Sequence, residues 1–253
     1  MTLLAFCCLL PMAILLISCE KNRGQHAGPQ EFSDSTQAGK WKMLFDGKTT
    51  KGWRGINRET FPDQGWEIAD GSLLVNADDG QESGNGGDII TMEQYSSFIM
   101  DWEWKMLTKG GNSGVKYFVR EGLSGNEKYG VGLEYQILDD ENFSWMRDGR
   151  MKPGDYRTLA SLYEIYPAKN KTPKQLGEWN HSRIVAKGRG VEHWLNGVKV
   201  LEYERGTDDF RKKVSESKFG QYEHFGEARE GHILIQDHGS KMAFRNIRIR
   251  ELD

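Results

Sequence analysis

The stretch Val131-Gly132-Leu133-Glu134-Tyr135-Gln136-Ile137-Leu138-Asp139 alternates apolar positions with polar or small ones. A period of two marks a β-strand, whose successive side chains leave opposite faces. Val131, Leu133, Tyr135 and Ile137 then face a core, and Glu134 and Gln136 share the other side. The same texture recurs along the chain. Phe98, Met100, Trp102, Trp104 and Met106 alternate with Ile99, Asp101, Glu103 and Lys105. Val115, Tyr117 and Val119 alternate with Lys116, Phe118 and Arg120, and Ile233 and Ile235 with His232, Leu234 and Gln236. Asp70-Gly71 closes a hairpin over 66–75, and Asn196-Gly197 turns 191–195 into 198–203. Strands are also expected over 182–186 and 244–249, with one short helix over 207–214. Many strands with Gly-rich turns predict an all-β sandwich or barrel. Two stacked antiparallel sheets bury one face each and leave the second face of a curved sheet free to form a groove.

The chain has 253 residues and a net charge of −3, so no basic footprint points to nucleic acid. Residues 1–17 are uncharged and almost entirely apolar, yet short for a membrane-spanning helix. Leu16-Ile17-Ser18-Cys19 has the form of a bacterial lipobox, which makes 1–18 a lipoprotein signal peptide and Cys19 the lipidated residue. A plain signal peptide or an uncleaved anchor are the alternatives. Either export route suits the cysteine usage: Cys7, Cys8 and Cys19 are the three cysteines, all near the leader. The remaining domain has no disulfide, no thiol nucleophile and no cysteine–zinc cluster. Residues 19–40 are polar and read as lipidated cysteine plus flexible tether. Residues 41–253 show no repeat and no second change of composition, and form one domain.

Three polar motifs interrupt the apolar alternation: Asn112-Ser113-Gly114, Glu134-x-Gln136-x-x-Asp139 and Gln236-Asp237-His238-Gly239. Gln236 and His238 share a side, opposite Ile235, and Lys116 faces away from Val115 and Tyr117. Asn112-Ser113-Gly114 reads first as a turn whose side chains can also reach a ligand. His181, His193 and His224 lack a partner motif and read as surface or loop residues. Gly188-Arg189-Gly190 is a turn, because no helix signal follows it.

In order along the chain, Leu44-Phe45-Asp46-Gly47-Lys48, Gly52-Trp53, Gly111-Asn112-Ser113-Gly114, Glu134-x-Gln136-x-x-Asp139, Leu162-Tyr163 with Pro167, Gly177-Glu178-Trp179-Asn180, Asn196-Gly197, Gln236-Asp237-His238-Gly239 and Phe244-Arg245-Asn246-Ile247 resemble the motifs of the 3-keto-disaccharide hydrolase domain family. The resemblance spans nearly all of 41–252. It implies a concanavalin-like β-sandwich, or jelly roll, with a concave carbohydrate-facing sheet. It also implies cleavage of 3-keto-glycosides that a separate sugar 3-dehydrogenase has oxidised, and a lipid-anchored or exported protein at the outer membrane, facing the periplasm or the surface.

A 3-keto sugar has an acidic C2 proton. A base can remove it, the enolate can expel the C1 substituent, and water can then add, giving net hydrolysis. That route needs a base near C2, an electrophile on the C3 oxygen and an acid for the leaving group. His238 is the expected base, since imidazole side chains titrate near neutral pH. Glu134 is a candidate acid, base or metal ligand, with a structural ion pair to an Arg of a neighbouring strand the alternative, and Lys116 a candidate cation for the enolate oxygen, with a solvated surface lysine the alternative. Gln136, Gln236, Asp139 and Asn112 are candidates to bind sugar hydroxyls, with a turn cap the alternative for Asp139 at the end of its strand; Tyr163 and Trp53 are candidates to stack on a sugar ring, with core packing the favoured reading for Trp53. A divalent metal on Glu134, Asp139 and His238 is a further expectation, as is a structural Ca²⁺. The rival readings are a non-catalytic carbohydrate-binding module and a two-carboxylate glycosidase.

Overall fold

The computed structural model describes residues 39–76, 86–123 and 130–253. The expected leader, Cys19 and residues 19–38 of the expected tether lie outside the described residues. The strands in chain order begin with β1 (Lys42–Met43), β2 (Trp53–Gly55), β3 (Trp66–Ala69), β4 (Ser72–Val75) and β5 (Ile89–Thr91). Then come β6 (Phe98–Met106), β7 (Asn112–Arg120), β8 (Val131–Leu138), β9 (Asn180–Lys187) and β10 (Gly190–Leu195). The last three are β11 (Val198–Glu204), β12 (His232–Ile235) and β13 (Met242–Glu251). A one-turn helix, α1 (Ser144–Arg147), follows β8, and α2 (Asp208–Ser215) leads into a 3-10 turn over Lys218–Gln221.

All the pairings between these strands are antiparallel, and they form two sheets. One runs β11-β10-β9-β6-β13-β4-β3, with β1 also paired to β13; the other runs β2-β5-β12-β7-β8. The expected hairpins form as read. Asp70 and Asn196 adopt positive φ, as do Gly71 and Gly197, which is the geometry a two-residue primed turn requires. The sheets enclose a core in which Trp102 of β6 meets Tyr135 of β8 edge-on, at 5.0 Å between ring centroids. Both rings are fully buried, as is Phe244 of β13. Removing a ring of this size costs about 3–5 kcal/mol. The helix expected over 207–214 is α2, with the Thr207 side chain accepting from Phe210 N at its start.

Three local expectations are corrected. Asn112-Ser113-Gly114 is the first part of β7 and not a turn. Phe118 sits at positive φ in a β-bulge between Tyr117 and Arg120. The extra residue resets the alternation, so Phe118 packs in the core against Phe98 and Val119 turns to the opposite face beside Ile56, Ile90 and Leu234. Gly231 opposite the bulge must lack a side chain, because a Cβ there would lie 2.4 Å from the Phe118 carbonyl carbon. Finally, His193 is a fully buried core residue. Its Nδ1 lies 2.8 Å from Ala160 O and its Nε2 2.7 Å from the Tyr117 hydroxyl, which in turn meets the Tyr203 hydroxyl at 2.6 Å. Burial pushes the His193 pKa down to about 4, so the neutral ring donates from Nδ1 to the carbonyl and accepts at Nε2 from Tyr117.

Candidate active site

Register brings the polar motifs together. On the face of the five-stranded sheet away from the core, Ile90, Leu234, Lys116 and Glu134 form one cross-strand row. One step along, Gln236 N donates to Gly114 O and Gly114 pairs with Gln136. Lys116 is therefore flanked by the motifs of β8 and of the segment after β12. These side chains line a cleft of about 170 Å³, with Asn112, Lys116, Glu134, Gln136, Tyr163, Gln236 and His238 all on its wall.

Each group is held by its local structure. Glu134 is buried, and its Oε1 occupies the space a side chain at 114 would take, since a Cβ on Gly114 would approach it to 2.7 Å. Oriented toward its acceptors, the Gln136 amide donates to Ser113 O at 2.9 Å and to Glu134 Oε1 at 3.1 Å. Lys116 is also buried; its ammonium donates to Gly130 O at 3.2 Å. His238 is half-buried, between an anchored Asp237 and Gly239. The Asp237 carboxylate accepts from Gly86 N, Gly87 N and Gly239 N at 3.0–3.1 Å. Ser240 Oγ accepts from Asn112 N, which ties the His238 loop to the start of β7. Tyr163 arrives on a segment that pairs with the β8 edge: Ala160 N donates to Gln136 O, Gln136 N to Ser161 O and Tyr163 N to Glu134 O.

Two expected site residues lie elsewhere. The Trp53 indole is buried in the core and donates to Leu44 O at 2.6 Å, so its ring is not free to stack on a ligand. Asp139 ends β8, as its position suggested, but its carboxylate accepts from Gly110 N and from the backbone and side-chain amides of Asn142. It caps a turn. The proposed ligand set Glu134, Asp139 and His238 therefore does not converge. Among the described residues no group of three His, Cys, Asp or Glu side chains is placed together to hold a metal ion.

Residues not anticipated from sequence complete the wall. Lys218, Phe219 and Gln221, from the 3-10 turn after α2, and Tyr222 just after it face the cleft from outside the sheet. Lys218 Nζ lies 4.5 Å from the centre of the Tyr163 ring, a cation–π contact at the mouth. Ser217 capping Phe219 N was the available local signal, but nothing in a turn of this kind says which sheet it will face. The cleft thus presents a carboxylate, an imidazole and a buried ammonium among amides and phenols. Such a set can move a proton and stabilise a developing oxyanion.

Comparison with known proteins agrees with this architecture. The model of the 3-keto-alpha-glucoside-1,2-lyase-like domain matches residues 40–250. A 3-keto-disaccharide hydrolase of Bacteroides thetaiotaomicron is 38% identical over 230 residues, covering 83% of this chain and 78% of the relative. A solved structure of a candidate glycosyl hydrolase from Parabacteroides distasonis superposes with a TM-score of 0.72 at 32% identity, over 84% of this chain and 94% of the other. A Bacillus subtilis protein with a galectin-like fold shares the architecture alone, with a TM-score of 0.53 at 13% identity over 85% and 97% of the two chains. With its matched residues spanning both sheets and the whole cleft, this chain belongs to the family of 3-keto-alpha-glucoside-1,2-lyase-like domains.

Proposed function

We propose that this enzyme cleaves the glycosidic bond of 3-keto-glycosides by elimination followed by hydration. One observation carries the reading: among the described residues Glu134 is the only carboxylate on the cleft wall, and it stands with an imidazole and an ammonium. A conventional glycosidase needs two carboxylates about the scissile bond. Elimination needs one base, one acid and an electrophile for the ketone oxygen.

In this reading His238 removes the C2 proton, and the C2–H electron pair moves into a C2–C3 double bond as the ketone oxygen takes negative charge. Lys116 faces that oxygen. The enolate then collapses, C1=C2 forms, and the C1–O bond breaks with its electron pair on the departing oxygen, which Glu134 protonates. Water adds its oxygen to C1 and a proton to C2, completing net hydrolysis. Gln136, Gln236 and Asn112 bind sugar hydroxyls, and Tyr163 offers a ring face. The substrate requires prior two-electron oxidation at C3, which a sugar 3-dehydrogenase supplies. A lipid on Cys19 places the domain at the outer membrane, on its periplasmic or outer surface.

The test offers the chain a 3-keto-glycoside and the matching unoxidised glycoside, with and without a chelator, and follows both by NMR. Cleavage of the keto substrate alone supports the reading, and loss of cleavage with chelator brings a metal into the reaction. Saturable binding with no cleavage of either favours a carbohydrate-binding module. Cleavage of the unoxidised glycoside favours a conventional glycosidase.

A further inference from the structure

Lys116 is the one buried lysine among the described residues. Its neighbour across the strand pair is Leu234, which clusters with Ile56, Ile90 and Val119 on the same face. An ammonium placed over such a surface loses hydration, and burial favours the neutral amine. A neutral amine lacks the positive charge that makes its hydrogen bond to an enolate oxygen strong. The carbonyl of Gly130 supplies one hydrogen bond, but a full opposite charge also lies close.

That charge is Asp88. Its side chain is completely buried, and its Oδ2 lies 3.7 Å from Lys116 Nζ. The other oxygen, Oδ1, accepts from Asp237 N at 3.0 Å. Asp237 reciprocates, with its carboxylate taking the N–H groups of Gly86 and Gly87 just before Asp88. The two segments, about 150 positions apart in sequence, are knitted in both directions. One carboxylate thus touches the backbone immediately before His238 and faces the ammonium of Lys116. Asp88 itself is absent from the cleft wall.

We propose that Asp88 is a positioning residue of the active site: its carboxylate keeps Lys116 protonated and holds the loop that carries His238. The catalytic consequence rests on the proposed function, whereas the charge pairing does not. Among the described residues, the other charged or titratable groups lining the cleft are Glu134 directly across the strand pair, His238, Lys218, Tyr163 and Tyr222. Glu134 also favours the ammonium and Lys218 opposes it, so the experiment must separate Asp88 from Glu134.

The test labels lysine Cε with ¹³C, assigns the Lys116 signal with Lys116→Arg, and titrates the wild type, Asp88→Asn, Asp88→Glu and Glu134→Gln. The same proteins are assayed for kcat/KM against pH on a 3-keto-glycoside. Asp88→Asn is expected to lower the Lys116 midpoint by ~1 pH unit or more. The alkaline limb of kcat/KM should fall by the same amount, and Asp88→Glu should restore most of both. An unmoved midpoint in Asp88→Asn overturns the proposal, as does a midpoint that moves only in Glu134→Gln. Should Asp88→Asn fail to fold, the wild type and Glu134→Gln together decide. A Lys116 that loses its proton below about pH 8 in the folded protein overturns the proposal, as does a midpoint that falls in Glu134→Gln by the full amount expected of Asp88→Asn; one still charged above that pH in both the wild type and Glu134→Gln supports it. A midpoint that moves while the wild type cleaves no keto-glycoside upholds the pairing and removes the functional reading instead.

Discussion

On the outer face of the eight-stranded sheet, Asp101 accepts from Arg183 at 2.6 and 3.0 Å and from Arg248 at 3.0 Å. Beside it Glu103 accepts from Arg245 at 2.6 Å, and the Arg245 guanidinium lies 3.9 Å from the centre of the Trp179 ring. On the face of the five-stranded sheet away from the core, Glu134, Lys116 and His238 surround a cleft. Both faces are polar strand faces opposite a core, and in sequence 98–106 and 131–139 look alike. The difference is closure. On the outer face the carboxylates are covered by guanidinium groups, while the other face is walled by loops that leave space between its charged groups. Polarity on a strand therefore marks a non-core face, and only the surroundings separate an ion-pair ladder from a reactive cleft.

The sharpest way to break this comparison is to remove charge on each side. Glu134→Gln is expected to lower kcat/KM on a 3-keto-glycoside about 10³-fold with the thermal midpoint nearly kept; Arg245→Ala on the outer face should stay within about twofold. Equal losses from the two would erase the distinction.

The second prediction contrasts the two histidines that matter most. His238 lies in the cleft, whereas His193 is sealed in the core and held neutral by burial, with a pKa near 4. An unfolded chain binds a proton at this side chain from about pH 6.5 downward, and the folded one only near pH 4. Stability should therefore fall as pH drops through that window, by about 3 kcal/mol in total. Urea unfolding at pH 7, 5.5 and 4.5 measures this, and His193→Gln should flatten the slope.

Asp101 tests the outer face itself. Burial pushes this carboxyl up, but His181 and Arg183 outweigh it and hold the carboxyl well below the usual carboxylate range. Its stabilising contribution is present above the ordinary aspartate range and is lost as pH falls through its lowered value. Asp101→Asn should cost about 2 kcal/mol in denaturant unfolding at pH 7, because partly exposed arginines temper the penalty of breaking a buried pair. Its kcat should remain at the wild-type level.

The smallest expected effect is a crowding test. Gly114→Ala puts a methyl group where Glu134 Oε1 rests, so the carboxylate must shift. A roughly tenfold loss in kcat/KM with little change in KM is expected. A neutral result would show that the position of Glu134 is not critical.

Much of the strand text and several cleft residues were legible locally. Period-two alternation placed Glu134, Gln136, Lys116, Gln236 and His238 away from the core, and Asp-Gly and Asn-Gly named their turns. Trp53 and Asp139 each left two readings open for one reason: an aromatic ring or a carboxylate near a motif is written the same way whether it binds a ligand or closes a core or a turn, and the structure takes the core for Trp53 and the turn for Asp139. Val119 and Phe118 exchanged faces because a bulge adds one residue without a strong local signature. His193 was hidden because its partners, Ala160 and Tyr117, are distant in sequence.

The amino-acid sequence by itself determined which side of each strand is apolar, because a polypeptide in extended conformation must alternate its side chains. It also determined the hairpin turns, because Asp-Gly and Asn-Gly tolerate positive φ. Only the tertiary structure decided which strands are neighbours, that Asp88 and Asp237 lock together, and that the turn after α2 walls the cleft. Those outcomes depend on long-range pairing, where burial and register across the whole core select one arrangement among many that short stretches permit.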